Sequence, residues 1–284
     1  MPAHRARQGP AQPAYLRPAR PAGPGPAQPA WLRPGQPGRP EPAQPAPPGL
    51  VLPAPPMVDL WWFDARAEVV RPADAAVMDA GERRRARALL SALDRHRFEV
   101  AHVLLRRVLA GYLAAAPEDL RFVRQPCPRC GRRLGRPVLL PGPGPAPFFS
   151  LAHSGDLVLI AVAARPVGAD LEQDRAGCVC PVAGVLHPAD AAALARLAEP
   201  DRHRAVIGCW VRAEAVLKCT GEGIGHGLSS LRVGLASGST GRNRRVRGCS
   251  VRGLAAPPGY QAAVALAGPD AVTSRPMAAL PGPG

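Results

Sequence analysis

The spacing of apolar side chains changes several times along the chain, and each change predicts an element of secondary structure. Residues 82–115 carry apolar side chains at intervals of three and four, which places them on one face of a helix. Residues 157–164 read LVLIAVAA, a short apolar run typical of a buried strand. After a turn at Arg165-Pro166, residues 167–172 are expected to return as a second strand. Further helices are predicted at 188–198 and 204–219.

Short runs rich in apolar residues predict the remaining strands, at 58–64, 120–123, 148–151, 231–235, 246–251 and 260–267. Residues 126–147 are rich in Gly and Pro and are expected to form a loop. The order strand, helix, strand occurs in both halves of the chain. The pattern therefore predicts an α+β protein with two comparable lobes, 57–166 and 167–268.

Composition sets the two ends of the chain apart. Residues 1–56 consist mainly of Pro, Ala, Gly and Arg, and they cannot bury enough apolar surface to offset the entropy of ordering them. We expect a disordered arm, which contains the related decapeptides GPAQPAYLRP and GPAQPAWLRP. The arm is either a docking segment or, if Met57 is the true start, not part of the native protein. Residues 269–284 are predicted to be a flexible tail.

Charge and cysteine content limit the classes of partner and compartment. The formal net charge of +15 favours polyanionic partners: nucleic acid, anionic membrane, an acidic protein or a phosphate-rich ligand. Seven cysteines without an apolar signal segment favour reduced thiols in a cytoplasmic protein. The longest apolar run is too short to span a bilayer. We therefore expect a cytoplasmic protein without a membrane-spanning segment.

The first candidate for chemistry is the strand VGADLE, in which two acids are two residues apart. Asp170 and Glu172 project from the same face of a strand, where their carboxylates repel each other. A hard divalent cation such as Mg²⁺ relieves this repulsion and suits carboxylates combined with substrate phosphates. The alternative is a strand end with two solvated acids.

The second candidate is the segment WVRAEAVLK, followed by CTGEG. In a helix, Trp210, Glu214 and Lys218 share one face. Of the 36 basic residues, Lys218 is the only lysine. Its compact ammonium approaches a phosphate as a point charge, which guanidinium does less well. The alternative is an ordinary surface pair of Glu and Lys.

The third candidate is His153, between Ala152 and Ser154 at a strand entrance, where it could bind a phosphate or cap its own turn. The three segments, in this order, resemble the 4′-phosphopantetheinyl transferase family in its long, monomeric, synthetase- and synthase-activating type. The corresponding family pattern is S-H-S, V-G-x-D-x-E, W-x-x-K-E-A-x-x-K and G-x-G. The resemblance extends to the segments Asp94–Leu109, Gly135–Pro137 and Gly259-Tyr260, and covers about 58–267.

The resemblance implies a fold and a reaction. The fold would be two similar α/β lobes related by a pseudo-twofold axis, with coenzyme A in the cleft between them. The reaction would move the phosphopantetheine arm of coenzyme A to a serine of an acyl or peptidyl carrier protein. Asp170, Glu172 and Glu214 would bind Mg²⁺ together with the coenzyme's pyrophosphate. Glu214 and Lys218 would be catalytic, Glu214 as acceptor of the serine proton and Lys218 as support for the leaving group.

The coenzyme-binding residues follow from the same resemblance: Arg85, Arg97, Arg136, His153, Asp170 and Lys218. The chain departs from the family pattern at three positions. Ala213 replaces a lysine, beside which Arg212 could compensate. Ala152 replaces the first serine of S-H-S, and Leu134 replaces a histidine. These departures predict weaker coenzyme binding or altered substrate preference, and they leave a catalytically impaired transferase as an alternative.

Two rival functions follow from other features of the sequence. Cys127 and Cys130, together with Cys178 and Cys180, could form a four-thiolate zinc site, although C-x-C is a poor second half. The basic region 83–107 and the arginine-containing arm could bind nucleic acid. That region contains a single aromatic residue, Phe98, and no stacking platform, so we expect no nucleic-acid partner.

Overall fold

The computed structural model describes residues 50–140, 145–174, 185–199, 201–223, 227–235 and 242–277. Its helices are α1 (Pro72–Val77), α2 (Ala80–Ala88), α3 (Ala92–Leu113), α4 (Pro188–Leu194) and α5 (Asp201–Thr220). The strands of the first half are β1 (Met57–Asp64), β2 (Phe122–Arg124), β3 (Pro137–Leu139), β4 (Phe148–Ser154) and β5 (Leu157–Ala163). Those of the second half are β6 (Val167–Gln173), β7 (Arg244–Val246), β8 (Cys249–Leu254), β9 (Tyr260–Ala267) and β10 (Thr273–Pro276). The fold is mixed α and β, as the sequence predicts.

Two four-stranded sheets form the centre of the molecule. The first has the order β10-β1-β5-β4, and the second has the order β6-β9-β8-β7. Side chains alternate along the strands, so Leu159 and Ala161 of β5 meet the second sheet. The intervening Val158 and Ile160 pack against α3. Helix α5 covers the other face of the second sheet. The layers are therefore helix, sheet, sheet, helix.

The long helix predicted at 82–115 is wrong at one point, because it is broken between α2 and α3. Ser91 is the N-cap of α3, and its side chain accepts a hydrogen bond from the Asp94 N–H. Leu90, expected on the apolar stripe, is fully exposed. A local cap therefore outweighs the apolar spacing.

The strand predicted at 231–235 is also wrong. Val233 is buried, but the Asp190 carboxylate accepts the N–H groups of Val233 and Gly234. A side chain thus satisfies donors that a strand would have paired with a neighbouring strand. Within the predicted loop 126–147, residues 137–139 form β3 and pair with β2.

Both predicted flexible ends contain ordered residues. Leu50 and Leu52, assigned from composition to the arm, pack against the cluster that includes α3. Residues 273–276, assigned to the tail, form β10 and pair in parallel with β1. The rest of the arm, 1–49, lies outside the described residues. No helix in the described ranges is both long and apolar enough to cross a membrane.

Candidate functional site

Strand β6 presents its acids to helix α5. Val167 and Leu171 belong to the core between the two sheets, so Gly168, Asp170 and Glu172 lie on the opposite face. A Cβ placed on Gly168 would lie 2.5 Å from the Cys219 backbone N, and ordinary contact begins at 3.4 Å. Helix α5 can therefore approach β6 this closely only because residue 168 has no side chain.

This approach brings Lys218 to Asp170. The Lys218 Nζ donates to Asp170 Oδ1 at 2.6 Å and to the Ala169 carbonyl oxygen at 3.1 Å. Glu172 accepts a hydrogen bond from Ser154 Oγ at 2.8 Å. The Trp210 side chain also donates to Glu172. The two separately predicted segments thus meet in one cluster.

Burial and mutual repulsion dominate the electrostatics of this cluster. Burial, together with the Asp170 charge, raises the pKa of Glu172 to about 7 and the pKa of Glu214 to about 7. Burial also raises the pKa of Asp170, although Lys218 opposes it. The pKa of Lys218 is raised: burial lowers it, but the three carboxylates outweigh that effect. One ammonium therefore stands against three carboxylates.

Two oxygen atoms of the cluster are suited to bind a cation. Asp170 Oδ2 and Glu214 Oε1 are buried without a hydrogen-bond partner. Buried carboxylate oxygens are costly unless they are hydrogen-bonded, paired or bound to metal. Among the described residues, no three His, Cys, Asp or Glu side chains already stand close enough together to hold a metal ion. The donor chemistry fits a hard divalent cation, and closing the site around one requires rearrangement of these side chains.

A cleft of about 930 Å³ opens beside this cluster. It is lined by four of the predicted residues, Arg85, Arg136, Glu214 and Lys218. Sequence reasoning did not single out several other charged or titratable residues of the lining: Arg84, Arg124, Glu82, His102 and Glu222. The volume lies within the usual range for small-molecule sites. Four arginines and Lys218 stand against four acidic residues in the lining, and these cations give an anionic ligand several possible partners.

Arg136 already has protein partners at the edge of the cleft. Its Nη1 donates to the Cys219 carbonyl oxygen at 2.5 Å, and its Nε donates to Gln125 Oε1 at 2.9 Å. Cys219 lies in the last turn of α5, where carbonyl groups lack intrahelical donors and the helix dipole is negative. Arg136 therefore caps α5 from the first half of the chain.

Arg97 and His153 do not line the cleft. Arg97 donates to Asp156 Oδ1 from Nη2 at 2.5 Å and from Nε at 2.9 Å, and it also contacts Asp94. His153 is exposed near the end of β4. Desolvation by the surrounding protein, together with the nearby Lys218 and Arg97, lowers the pKa of His153 to about 4. The ring is therefore neutral at pH 7 and able to accept a hydrogen bond.

The residues that depart from the family pattern lie in the core or in the wall of the cleft. Arg212 is buried, donates to the Gly234 carbonyl oxygen and packs within the second half of the chain. It therefore does not replace the missing lysine at Ala213, which is itself fully buried in the same core. Ala152 is buried between the sheets, and Leu134 is half-exposed in the cleft wall.

Two of the four cysteines of the predicted zinc site, Cys127 and Cys130, lie among the described residues. Cys127 is buried and Cys130 is exposed in a turn closed by the Gly131 N–H, which donates to the Cys127 carbonyl oxygen. Cys178 and Cys180 lie outside the described residues. The part of the chain that the structure describes contains no set of three such ligands.

Comparisons with known proteins give one consistent answer. A sequence model of the 4′-phosphopantetheinyl transferase superfamily matches residues 166–265. The chain is 28% identical to a 4′-phosphopantetheinyl transferase of Bacillus pumilus, over 63% of this chain and 74% of that protein. It is 29% identical to the 4′-phosphopantetheinyl transferase HetI of Nostoc sp., over 68% of this chain and 80% of that protein. It is 26% identical to a 4′-phosphopantetheinyl transferase of Bacillus subtilis, over 69% of this chain and 84% of that protein. Residues 166–265 thus match the 4′-phosphopantetheinyl transferase superfamily, and about two thirds of the chain is similar to 4′-phosphopantetheinyl transferases.

Proposed function

We propose that this protein transfers the 4′-phosphopantetheine group of coenzyme A to a serine of an apo-carrier protein, with Mg²⁺, releasing adenosine 3′,5′-bisphosphate. The observation that carries the proposal is the meeting of Asp170, Glu172, Glu214 and Lys218 where α5 approaches β6 at Gly168. The adjoining arginine-lined cleft is suited to the phosphate groups of the coenzyme.

Transfer of a phosphate-linked group depends on positioning the reactants and neutralising their charge more than on a covalent intermediate. In the reaction, the serine oxygen forms a bond to the phosphorus that carries pantetheine, and the bond to adenosine bisphosphate breaks. Glu214 would accept the serine proton, directly or through water. Lys218 would stabilise negative charge on the departing phosphate.

The carboxylates would hold the metal: Asp170, Glu172 and Glu214, with two buried oxygens that have no partner. Mg²⁺, when bound, would neutralise phosphate charge. Arg85 and Arg136 would contact the coenzyme from the cleft wall, and Arg136 would have to share its guanidinium with the end of α5. Arg97 and His153 would contact the coenzyme only where it extends beyond the cleft, since neither residue lines the cleft.

The wider assignments are part of the same proposal. The enzyme would act as a cytoplasmic monomer on acyl or peptidyl carriers of fatty-acid, polyketide or nonribosomal-peptide synthesis. Residues 57–166 and 167–268 would form its two lobes. No nucleic acid or membrane would be required for transfer.

Intact-mass measurement of apo-carriers tests the proposal. Incubation of the full chain with coenzyme A, Mg²⁺ and several apo-carriers should add one phosphopantetheine to at least one carrier. Glu214→Gln and Asp170→Ala should abolish the addition. Glu199→Gln, which changes an exposed acid paired with Arg202, should leave it intact. Absence of transfer by the wild type to every carrier tested, or full activity of Glu214→Gln, would contradict the proposal.

A further inference from the structure

The β2–β3 loop, residues 125–136, crosses from the first half of the chain to the C-terminal end of α5. Arg136 caps the Cys219 carbonyl oxygen, as described above. A second contact lies at the other end of the loop, where the Gly223 backbone N–H faces the Cys127 thiol and lowers its pKa. The loop is thereby attached on both sides of the last turn of α5, the turn that also contains Lys218.

Glu222 provides a third attachment and connects it to the second sheet. Its Oε2 accepts a hydrogen bond from Arg247 Nη1 at 2.6 Å and lies 3.8 Å from Arg129 Nη1 in the β2–β3 loop. The Glu222 side chain is 11% exposed, and the residue lines the cleft. Arg247 also donates from Nη2 to Ser230 Oγ at 2.6 Å. One carboxylate therefore joins two segments that are distant in sequence.

The backbone of Arg247 indicates that the position of its guanidinium matters. Arg247 and Gly248 form the two-residue turn between β7 and β8, with φ of +48° and +74°. Such turns favour Asn, Asp or Gly at the first position, and another residue there costs on the order of 1 kcal/mol. An arginine is strained here, and its Nη1 and Nη2 donate to Glu222 and Ser230.

Glu222 is also an unexpected residue for a cleft suited to anions. An unpaired carboxylate would repel phosphate groups, whereas this one is paired with arginine. Its role is therefore better explained by the segments it holds than by contact with substrate.

We propose that Glu222 is a positioning residue for the transfer reaction. It holds the β2–β3 loop and the β7–β8 turn against the end of α5, and thereby fixes Lys218 relative to the cleft wall that contains Arg124 and Arg136. This inference rests on the proposed function. A misplacement of about 1 Å at a reacting group can reduce the rate about 100-fold.

A double-mutant cycle tests the inference. Glu222→Ala and Arg247→Ala should each lower kcat/KM for coenzyme A about 10- to 100-fold. The double variant should be little worse than either single variant, because both remove the same interaction. Glu222→Gln, which keeps an acceptor for Arg247, should retain more activity than Glu222→Ala. Asp270→Ala is the matched control: it removes a surface pair with Arg165 outside the cleft lining and should have less than about a twofold effect.

Hydrogen exchange of the full chain without coenzyme A provides a readout that does not depend on activity. Glu222→Ala should accelerate exchange of the amides in the β2–β3 loop, and Asp270→Ala should not. Additive losses in the double variant, or unchanged loop exchange, would overturn the inference. A lowered Tm with unchanged kcat/KM would also overturn it, by showing a role in stability alone. If the wild type transfers nothing, the proposed function fails, while the exchange result still decides whether Glu222 holds the loop.

Discussion

Substitution of Gly168 by alanine should be far more harmful than loss of two hydrogens suggests. The added Cβ would lie 2.5 Å from the Cys219 backbone N and closer still to the Ala215 carbonyl oxygen. Both atoms are backbone, so no side chain can rotate away. Reaching the ordinary 3.4 Å contact requires α5 to move from β6 by about 1 Å or more.

Two measurable losses follow from that movement. Overpacking of this kind lowers the free energy of unfolding by about 3 kcal/mol, which for a domain of this size lowers Tm by about 6–12 °C. Displacement of Glu214 and Lys218 from Asp170 should reduce transfer about 100-fold at temperatures where the variant remains folded. Differential scanning calorimetry and carrier mass measurement give the two values.

Gly208→Ala is the control, because it lies in the same helix. A Cβ there meets nothing closer than 3.8 Å, so alanine should stabilise the helix by about 0.5–1 kcal/mol and leave activity unchanged. If Gly168→Ala folds with an unchanged Tm and full activity, then the close approach of α5 to β6 does not create the site.

Two further predictions concern stability. Burial raises the pKa of Glu82, but the hydrogen bonds from His102 and the Asp79 N–H lower it to about 2, from 4.5. The resulting stabilisation, on the order of 2–3 kcal/mol, should be present above pH 4.5 and disappear as the pH falls towards 2. Measurement of Tm against pH should show a smaller loss of stability in Glu82→Gln than in the wild type. Deletion of residues 1–49 should leave Tm and transfer unchanged, whereas deletion of 1–56 should cost about 2 kcal/mol in urea unfolding because Leu50 and Leu52 leave the core. Equal stability of the two truncations would show that these leucines contribute nothing.

Local periodicity predicts the parts of the site that lie within one element. Strand alternation places Asp170 and Glu172 on one face, and helical spacing places Glu214 and Lys218 on another. Their meeting depends on packing between elements, for which the sequence offers one indication, a glycine inside an otherwise apolar strand. Gly168 therefore explains the convergence that the resemblance only implied.

Residues whose roles arise from long-range contacts could not be predicted in this way. Glu222 follows a helix in a glycine-rich break, and nothing local indicates that Arg247 will reach it from a turn 25 residues later. Likewise, only the three-dimensional structure pairs Arg97 with Asp156 outside the cleft lining. The failed strand at 231–235 has the same origin, because a distant carboxylate, Asp190, takes its N–H donors.

The central claim is that the carboxylates near Lys218 and the phosphates of coenzyme A share one divalent cation. Isothermal titration of coenzyme A, with and without Mg²⁺, tests it most directly. Mg²⁺ should strengthen coenzyme binding by the wild type at least tenfold, an effect of about 1.4 kcal/mol, and should have no such effect in Asp170→Asn or Glu214→Gln. Equal strengthening by Mg²⁺ in all three proteins would contradict the assignment of these carboxylates.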